Sequence, residues 1–178
     1  LDPVLERMME AVHRYEGTVN QVLGDGIMAL FGAPIAHEDH ALRACYAALA
    51  MQTAVRRGGD DGVRIRVGLN SGEVVVRAID TNLHLDYSAV GQTTHLAARM
   101  EQLADPGATL LTAATLHLAE GYVAVRPRGK VPIRGLSEPV EVFELVGAGA
   151  ARTRFQAAAL RGLTRFVGRQ REVDLLVE

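Results

Sequence analysis

The sequence predicts an α+β domain with a mixed, mainly antiparallel sheet and its helices packed on one face. Short apolar runs come in pairs around turn residues, at Asp25-Gly26 and at Asn70-Ser71-Gly72, which is how strands joined through tight turns read in sequence. Between and after those pairs lie stretches with apolar residues at helical spacing. Helices therefore interleave with hairpins instead of alternating one for one with strands, which argues against a uniformly parallel sheet. The 178 residues, 48% of them apolar, suffice for one substantial core and a short extension.

Taken in order, residues 3–16 carry Val4, Leu5, Met8, Met9, Val12 and Tyr15 on one helical stripe that ends near Gly17. No start signal precedes the stripe, so the expectation is a chain that begins within a helix and has sequence upstream of it. A hairpin follows over 18–31, and Gly32-Ala33-Pro34 interrupts it. A second helix is expected over 38–57, with acids at its start, Arg56 and Arg57 in its last turn and Gly58-Gly59 at its end, as the helix dipole favours. Its Ala41, Ala44 and Ala48 beside Leu42, Cys45 and Leu49 make a side small enough to lie close on a sheet.

"VRIRVGLNSGEVVVRAI", 63–79, reads as two strands around Asn70-Ser71-Gly72, and the alternation of Val63, Ile65 and Val67 with Arg64 and Arg66 predicts one wet face. An extended run over 85–91 leads into a helix over 93–103 whose apolar side is Leu96, Met100 and Leu103. "ATLLTAATLHLAEG", 108–121, reads as a strand and then a short helix capped by Thr112 and closed by Gly121. Val123–Val125 and residues 139–146 supply the last strands. The composition then shifts to Ala, Gly and Arg over 147–163, a linker, and 164–178 opens a new amphipathic element.

Composition excludes several function classes. A net charge of −2, 4% aromatics and no Trp offer neither the field nor the stacking surface for nucleic acid. No apolar run is long enough to span a bilayer. The one cysteine, Cys45, rules out an internal disulfide framework and points to a reducing, cytoplasmic compartment.

Asp25 raises the first question of chemistry. In "TVNQVLGDGIMALFG" the local signal favours a turn residue tolerant of positive φ, and an exposed carboxylate for a metal is the other reading that window leaves open. "HEDH", 37–40, sets two histidines three apart beside two acids. It lies at a helix start, where the dipole favours acids anyway, and it lacks a third ligand at zinc spacing.

Three ordered segments, "GDGIMALFGAP", "RIRVGLNSGEVVVRAI" and "LDYSAVGQTTHLAARMEQLADPG", together resemble the class III nucleotidyl cyclase homology domain, the catalytic module of adenylyl and guanylyl cyclases. The resemblance makes 1–146 the cyclase domain and implies the ferredoxin-like nucleotide cyclase fold. It also implies conversion of a nucleoside triphosphate to a 3′,5′-cyclic nucleotide and pyrophosphate in signal transduction. Family members hold two Mg²⁺ or Mn²⁺ ions on two Asp residues. Asp25 matches one; the other is expected upstream of this chain. They pair as head-to-tail homodimers, so that metals sit on one subunit and the ribose, base and transition-state contacts on the other.

Arg99 matches the family's transition-state arginine, against the simpler role of an exposed helix Arg. His95, one helical turn before it, stands where the family usually has an Asn that orients the ribose. Gln21 and Ser88 occupy the base-reading positions, where adenylyl cyclases carry Lys and then Asp or Thr. ATP is favoured over GTP, although both residues also suit an ordinary strand surface. Arg134 stands where a Lys often touches the triphosphate, or is a solvated hairpin residue. Arg77 and Asp80 replace common glycines. The tail "RFVGRQREVDLL" is similar to the entry of an AAA-type ATPase module. Two functions stay open on the sequence: an adenylate cyclase, or a degenerate cyclase-fold module that senses nucleotide or dimerises to regulate that ATPase.

Overall fold

The computed structural model describes residues 3–58, 62–81 and 84–151, with 153, 156 and 159; over 76–81 and 84–90 it describes the backbone. The first helix, α1 (Pro3–Arg14), buries Leu5, Met8, Ala11 and Val12 along its expected stripe. It stops one residue earlier than its glycine suggested. Glu16 takes the left-handed conformation (φ 58°), and the Gly17 amide turns back to the Val12 carbonyl at 3.0 Å. Gly17 is required for room instead, because a Cβ there would lie 2.6 Å from the Phe31 ring.

Strands β1 (Thr18–Leu23) and β2 (Gly26–Leu30) pair antiparallel, with Leu23 opposite Gly26. The loop is therefore Gly24-Asp25, not Asp25-Gly26, and the positive φ (62°) falls on Gly24. Glycine in the first loop position suits the right-handed twist of the flanking strands and frees Asp25 from any need for strained backbone. Val19, Ile27, Ala29 and Phe31 of this region pack with α1 and with Met51 and Val55 of α2 (His40–Arg57). The acids expected in the first turn of α2 precede it. Asp39 occupies the cap position without capping; its Oδ1 accepts a 2.7 Å bond from Arg43 Nε.

The two halves of 63–79 part company. β3 (Val67–Leu69) joins a four-stranded sheet, whereas β4 (Val75–Thr81) pairs antiparallel with β5 (His84–Val90) in a separate hairpin. Asn70, Ser71 and Gly72 are thus a junction between sheets, held by side-chain bonds described below. The four-stranded sheet runs β3, β6 (Thr109–Thr112), β8 (Val140–Ala148), β7 (Val123–Val131); β3 and β6 are parallel and the other neighbours antiparallel, the mixed arrangement expected.

Alternation along these strands sorts the core. Leu111, Phe143 and Leu145 face Cys45 and Ala48 of α2 and Ala119 of α4 (Ala113–Ala119). Leu110 and Val142 face the other way, onto Met100 and Leu96 of α3 (Gln92–Leu103). The one-sided helical layer expected from sequence describes α2 and α4. Helix α3 takes the opposite face because Gly68 lets a helix backbone settle directly on β3. Leu103, expected on the apolar side of α3, is 42% exposed at its end. Thr112 precedes α4 without capping it, since its hydroxyl is committed to Asn70.

β8 continues to Ala148, and the following residues fold back: the Gly149 and Ala151 amides donate to the Tyr122 and Gly121 carbonyls at 2.7 and 3.1 Å. Residues 160–178, with the expected entry to an ATPase module, lie outside the described residues.

Candidate active site

The sequence-predicted site residues fall into two groups on different elements. Asp25 and Gln21 belong to the β1–β2 hairpin, and both are exposed. The Asp25 carboxylate makes no hydrogen bond or ion pair among the described residues, so the local fold does not use it. Val22 and Leu23 beside it are 49% and 55% exposed, and the hairpin tip presents an acid on an apolar projection. One position before Gln21, Asn20 Oδ1 is buried and has no hydrogen-bond partner among the described residues, where the β1–β2 register slips between Val19 and Gln21. The backbone of β5 runs beside β1, which brings the strand of Ser88 next to that of Gln21. The Ser88 side chain lies outside the described residues, as do those of Arg77 and Asp80.

The second group is built on α3. His95 and Arg99 sit one turn apart and are both exposed, while Met100 beside them is fully buried and anchors the helix. Arg99 Nη1 donates to Gln102 Oε1 at 2.6 Å, which leaves the rest of the guanidinium fork free to meet an anion. Arg134 lies in the β7–β8 connection. Its neighbour Ile133 packs with Leu96 and Met100, so the loop bearing Arg134 rests on α3. His95, Arg99 and Arg134 therefore share one region, with two cations facing solvent and no acid paired to either among the described residues.

Among the described residues no three His, Cys, Asp or Glu side chains converge as metal ligands. Asp25 fits a divalent cation as one carboxylate ligand of a hard-oxygen site. The remaining ligands would come from elsewhere. Elsewhere among the described residues, the Asp39–Arg43 pair and Cys45 have displaced titrations. The Arg43 guanidinium beside Asp39 holds its carboxyl below the ordinary carboxylate value, and burial pushes the Cys45 thiol up to about 12. Neither group touches the residues above.

Sequence inspection passed over Gly68 and Asn70. A Cβ at Gly68 would stand 2.1 Å from the Ala97 carbonyl oxygen and 2.2 Å from the Glu101 nitrogen, so α3 lies backbone to backbone on β3. Asn70 bonds both to α3 and to the end of β6. An isolated glycine within an apolar strand was the available signal, since such a glycine marks close backbone approach.

The profile of the adenylate and guanylate cyclase catalytic domain matches residues 1–147. Adenylate cyclase 1 of Rhizobium meliloti is 31% identical over 156 residues, which is 83% of this chain and 24% of that protein. Soluble guanylate cyclase 89Db of Drosophila melanogaster is 35% identical over 71% of this chain and 19% of its own length. The chain thus spans about a quarter or less of the length of these curated relatives. Among solved structures, the guanylyl cyclase Cya2 superimposes with a TM-score of 0.76 at 31% identity, over 84% of this chain and 80% of that one.

Proposed function

Because the chain belongs to the adenylate and guanylate cyclase catalytic domain family, we propose that it is one half of a head-to-tail homodimer that converts a nucleoside triphosphate, with ATP favoured, to a 3′,5′-cyclic nucleotide and pyrophosphate. The observation that carries this is the division of the site. Among the described residues the carboxylate on the hairpin has no partner and the cationic group on α3 has no acid paired to it; both are exposed, and each is half of what phosphoryl transfer needs. Two copies facing one another in opposite directions would join hairpin to helix twice.

In the reaction the ribose 3′-oxygen attacks the α-phosphorus, its proton passes to water, and the α–β bridging oxygen leaves with pyrophosphate. Negative charge grows on the α-phosphate oxygens and on the leaving oxygen. Asp25, with a second carboxylate from the strand expected upstream, would hold Mg²⁺ or Mn²⁺. A divalent ion bound there supplies charge neutralisation and a more acidic 3′-hydroxyl. Arg99 directs guanidinium donors at the charge that develops in the transition state. His95 bonds the ribose through one ring nitrogen, in place of an amide. Gln21 can donate to or accept from a purine edge, and Ser88 adds a hydroxyl on the adjoining strand. Arg134 grips the triphosphate with two donors.

In the intact protein the domain is proposed to precede an AAA-type ATPase module beginning near residue 164, in the cytoplasm. No helix among the described residues is long and apolar enough to cross a membrane.

The test is a product assay on the chain carrying its upstream sequence, with Mn²⁺ and ATP or GTP in turn. Cyclic nucleotide should form, preferentially from ATP. Arg99→Ala should lower kcat by on the order of 100- to 1,000-fold, the loss typical of one transition-state donor. Asp25→Ala should abolish product. Activity unaffected by Asp25→Ala, or no product from either nucleotide, would overturn the proposal.

A further inference from the structure

Four hydrogen bonds tie the junction after β3 to the first turn of α3 and to the end of β6 and start of α4. Asn70 Nδ2 donates to the Thr93 carbonyl at 3.0 Å, and Thr112 Oγ1 donates to Asn70 Oδ1 at 2.7 Å. Thr93 Oγ1 returns a 2.7 Å bond to the Glu73 carbonyl, and Ser71 Oγ lies 3.1 Å from Thr115 Oγ1. Thr112 and Thr115 are 2% and 1% exposed, so the Thr112 and Thr115 ends of these bonds are out of water. The amide orientation follows from chemistry. A carbonyl only accepts, so the nitrogen of Asn70 must face Thr93, and its oxygen then meets the Thr112 hydroxyl as acceptor. Both ends of the amide are committed.

Gly91 occupies the cap position of α3 and has no side chain to cap it. Two of the contacts that set the helix's position from outside reach its backbone. Gly68 touches its backbone from Ala97 to Glu101, and Asn70 holds the carbonyl of Thr93. His95 lies between those two points and Arg99 between Ala97 and Glu101.

We infer that Asn70 is a positioning residue for nucleotide cyclisation: by clamping the Thr93 carbonyl to the buried Thr112, it fixes the height and angle at which α3 presents His95 and Arg99. The inference rests on the cyclase reading above for the role of those two side chains. The clamp itself is a property of the fold. Asn70 does not touch substrate; its effect reaches the chemistry through the helix, where a displacement of about 1 Å can lower a rate on the order of 100-fold.

The experiment compares Asn70→Asp, Thr112→Val and Thr112→Ser in the chain carrying its upstream sequence. Asn70→Asp turns a carboxylate oxygen toward the Thr93 carbonyl. Thr112→Val removes one hydroxyl at nearly constant volume, and Thr112→Ser keeps it. Two readouts are taken: steady-state kinetics with Mn²⁺ and ATP, and amide hydrogen exchange along α3 and β6. Asn70→Asp should lower kcat by roughly 10- to 100-fold with KM changed less than about twofold, the split expected of an interaction felt in the transition state. Exchange at the amides of 95–99 should quicken by about tenfold while β6 stays protected. Thr112→Val should shift both readouts in the same direction, and Thr112→Ser should restore them. Unchanged exchange and kcat in Asn70→Asp overturns the inference. Faster exchange spread equally over β6 and α3, with Thr112→Ser no better than Thr112→Val, also overturns it in favour of a purely structural role. If the unsubstituted protein makes no cyclic nucleotide, the cyclase reading fails, and the exchange comparison still decides whether the clamp exists.

Discussion

Replacing Gly68 with alanine isolates the contact on which the placement of α3 depends. Gly68 does not have a positive φ, so alanine meets no backbone strain there. By limiting the unfolded chain, alanine would even stabilise the protein by about 0.4–1 kcal/mol. Against that, the added Cβ would stand 2.1 Å from the Ala97 oxygen and 2.2 Å from the Glu101 nitrogen, whereas ordinary contact begins at 3.4 Å. Both neighbours are backbone of a hydrogen-bonded helix and have no rotamer to turn away. The helix must retreat by about 1.3 Å, which opens the packing of Met100 and Leu96 on Leu110 and Val142. Overpacking of this kind costs typically 1–3 kcal/mol and more when backbone must move, so a net loss of about 2 kcal/mol is expected. In a chain of this size that lowers Tm by about 4–8 °C. The assay is urea unfolding followed by circular dichroism, with Tm alongside and kcat measured on the same preparation. The midpoint should fall with little change in slope, and kcat should fall on the order of 100-fold. A variant within about 0.5 kcal/mol of the parent, with unchanged kcat, would refute the backbone contact, because surface-like tolerance belongs to sites without such a feature.

Two further substitutions or treatments test the electrostatics. Arg43 holds the Asp39 carboxyl below its ordinary value, chiefly through their hydrogen bond. A depressed carboxyl stabilises the fold above its unfolded pKa, and that contribution is lost as pH falls below about 4 through the lowered value. The pair is exposed and i, i+4, so Asp39→Asn should cost only about 0.3–0.5 kcal/mol at pH 6 and nothing below that window; equal losses at pH 6 and at pH 3 would contradict it. Cys45 is fully buried with its thiol pushed from the ordinary 9.0 up to about 12, so the native protein should react with iodoacetamide at pH 8 on the order of 1,000-fold more slowly than the urea-unfolded chain. Because unfolding frees the thiol to ionise, stability should also fall as pH rises above about 9. Comparable labelling of native and unfolded protein would remove Cys45 from the core.

Periodicity and turn residues made most of the fold legible. The α1 stripe, the hairpin around Asp25, the Ala-rich side of α2 and the strand-then-helix at 108–121 all carry strong local signals, and each element is present. What sequence could not convey was which strands pair. The run 63–79 contains two strands, but the partner of β3 is β6, some forty residues on, and side-chain bonds of Asn70, Ser71 and Thr93 hold the junction where the chain passes between sheets. Glycine identity misled at the end of α1. Gly17 looked like the residue that closes the helix, whereas Glu16 takes the positive φ and Gly17 supplies room beside Phe31, because steric room and conformational freedom are separate demands that leave the same letter. The candidate site was legible in its exposed, chemistry-bearing members Asp25, His95, Arg99 and Arg134. Gly68 and Asn70, which contact the backbone of the helix bearing His95 and Arg99, were not, since their meaning lies in contacts with distant segments.

The proposed cyclisation needs Asp25 from one subunit and Arg99 from another. The measurement is complementation: Asp25→Ala and Arg99→Ala proteins, each carrying the upstream sequence, are assayed alone and after mixing at equal concentration under subunit exchange. Alone, Asp25→Ala should give no product and Arg99→Ala about 1% of the parent rate or less. In random pairs half the dimers are mixed, and each mixed dimer holds one intact site of two, so activity should return to about a quarter of the parent's. No recovery in a mixture shown to contain mixed dimers, or either variant turning over at the parent rate, would rule out a site shared between subunits.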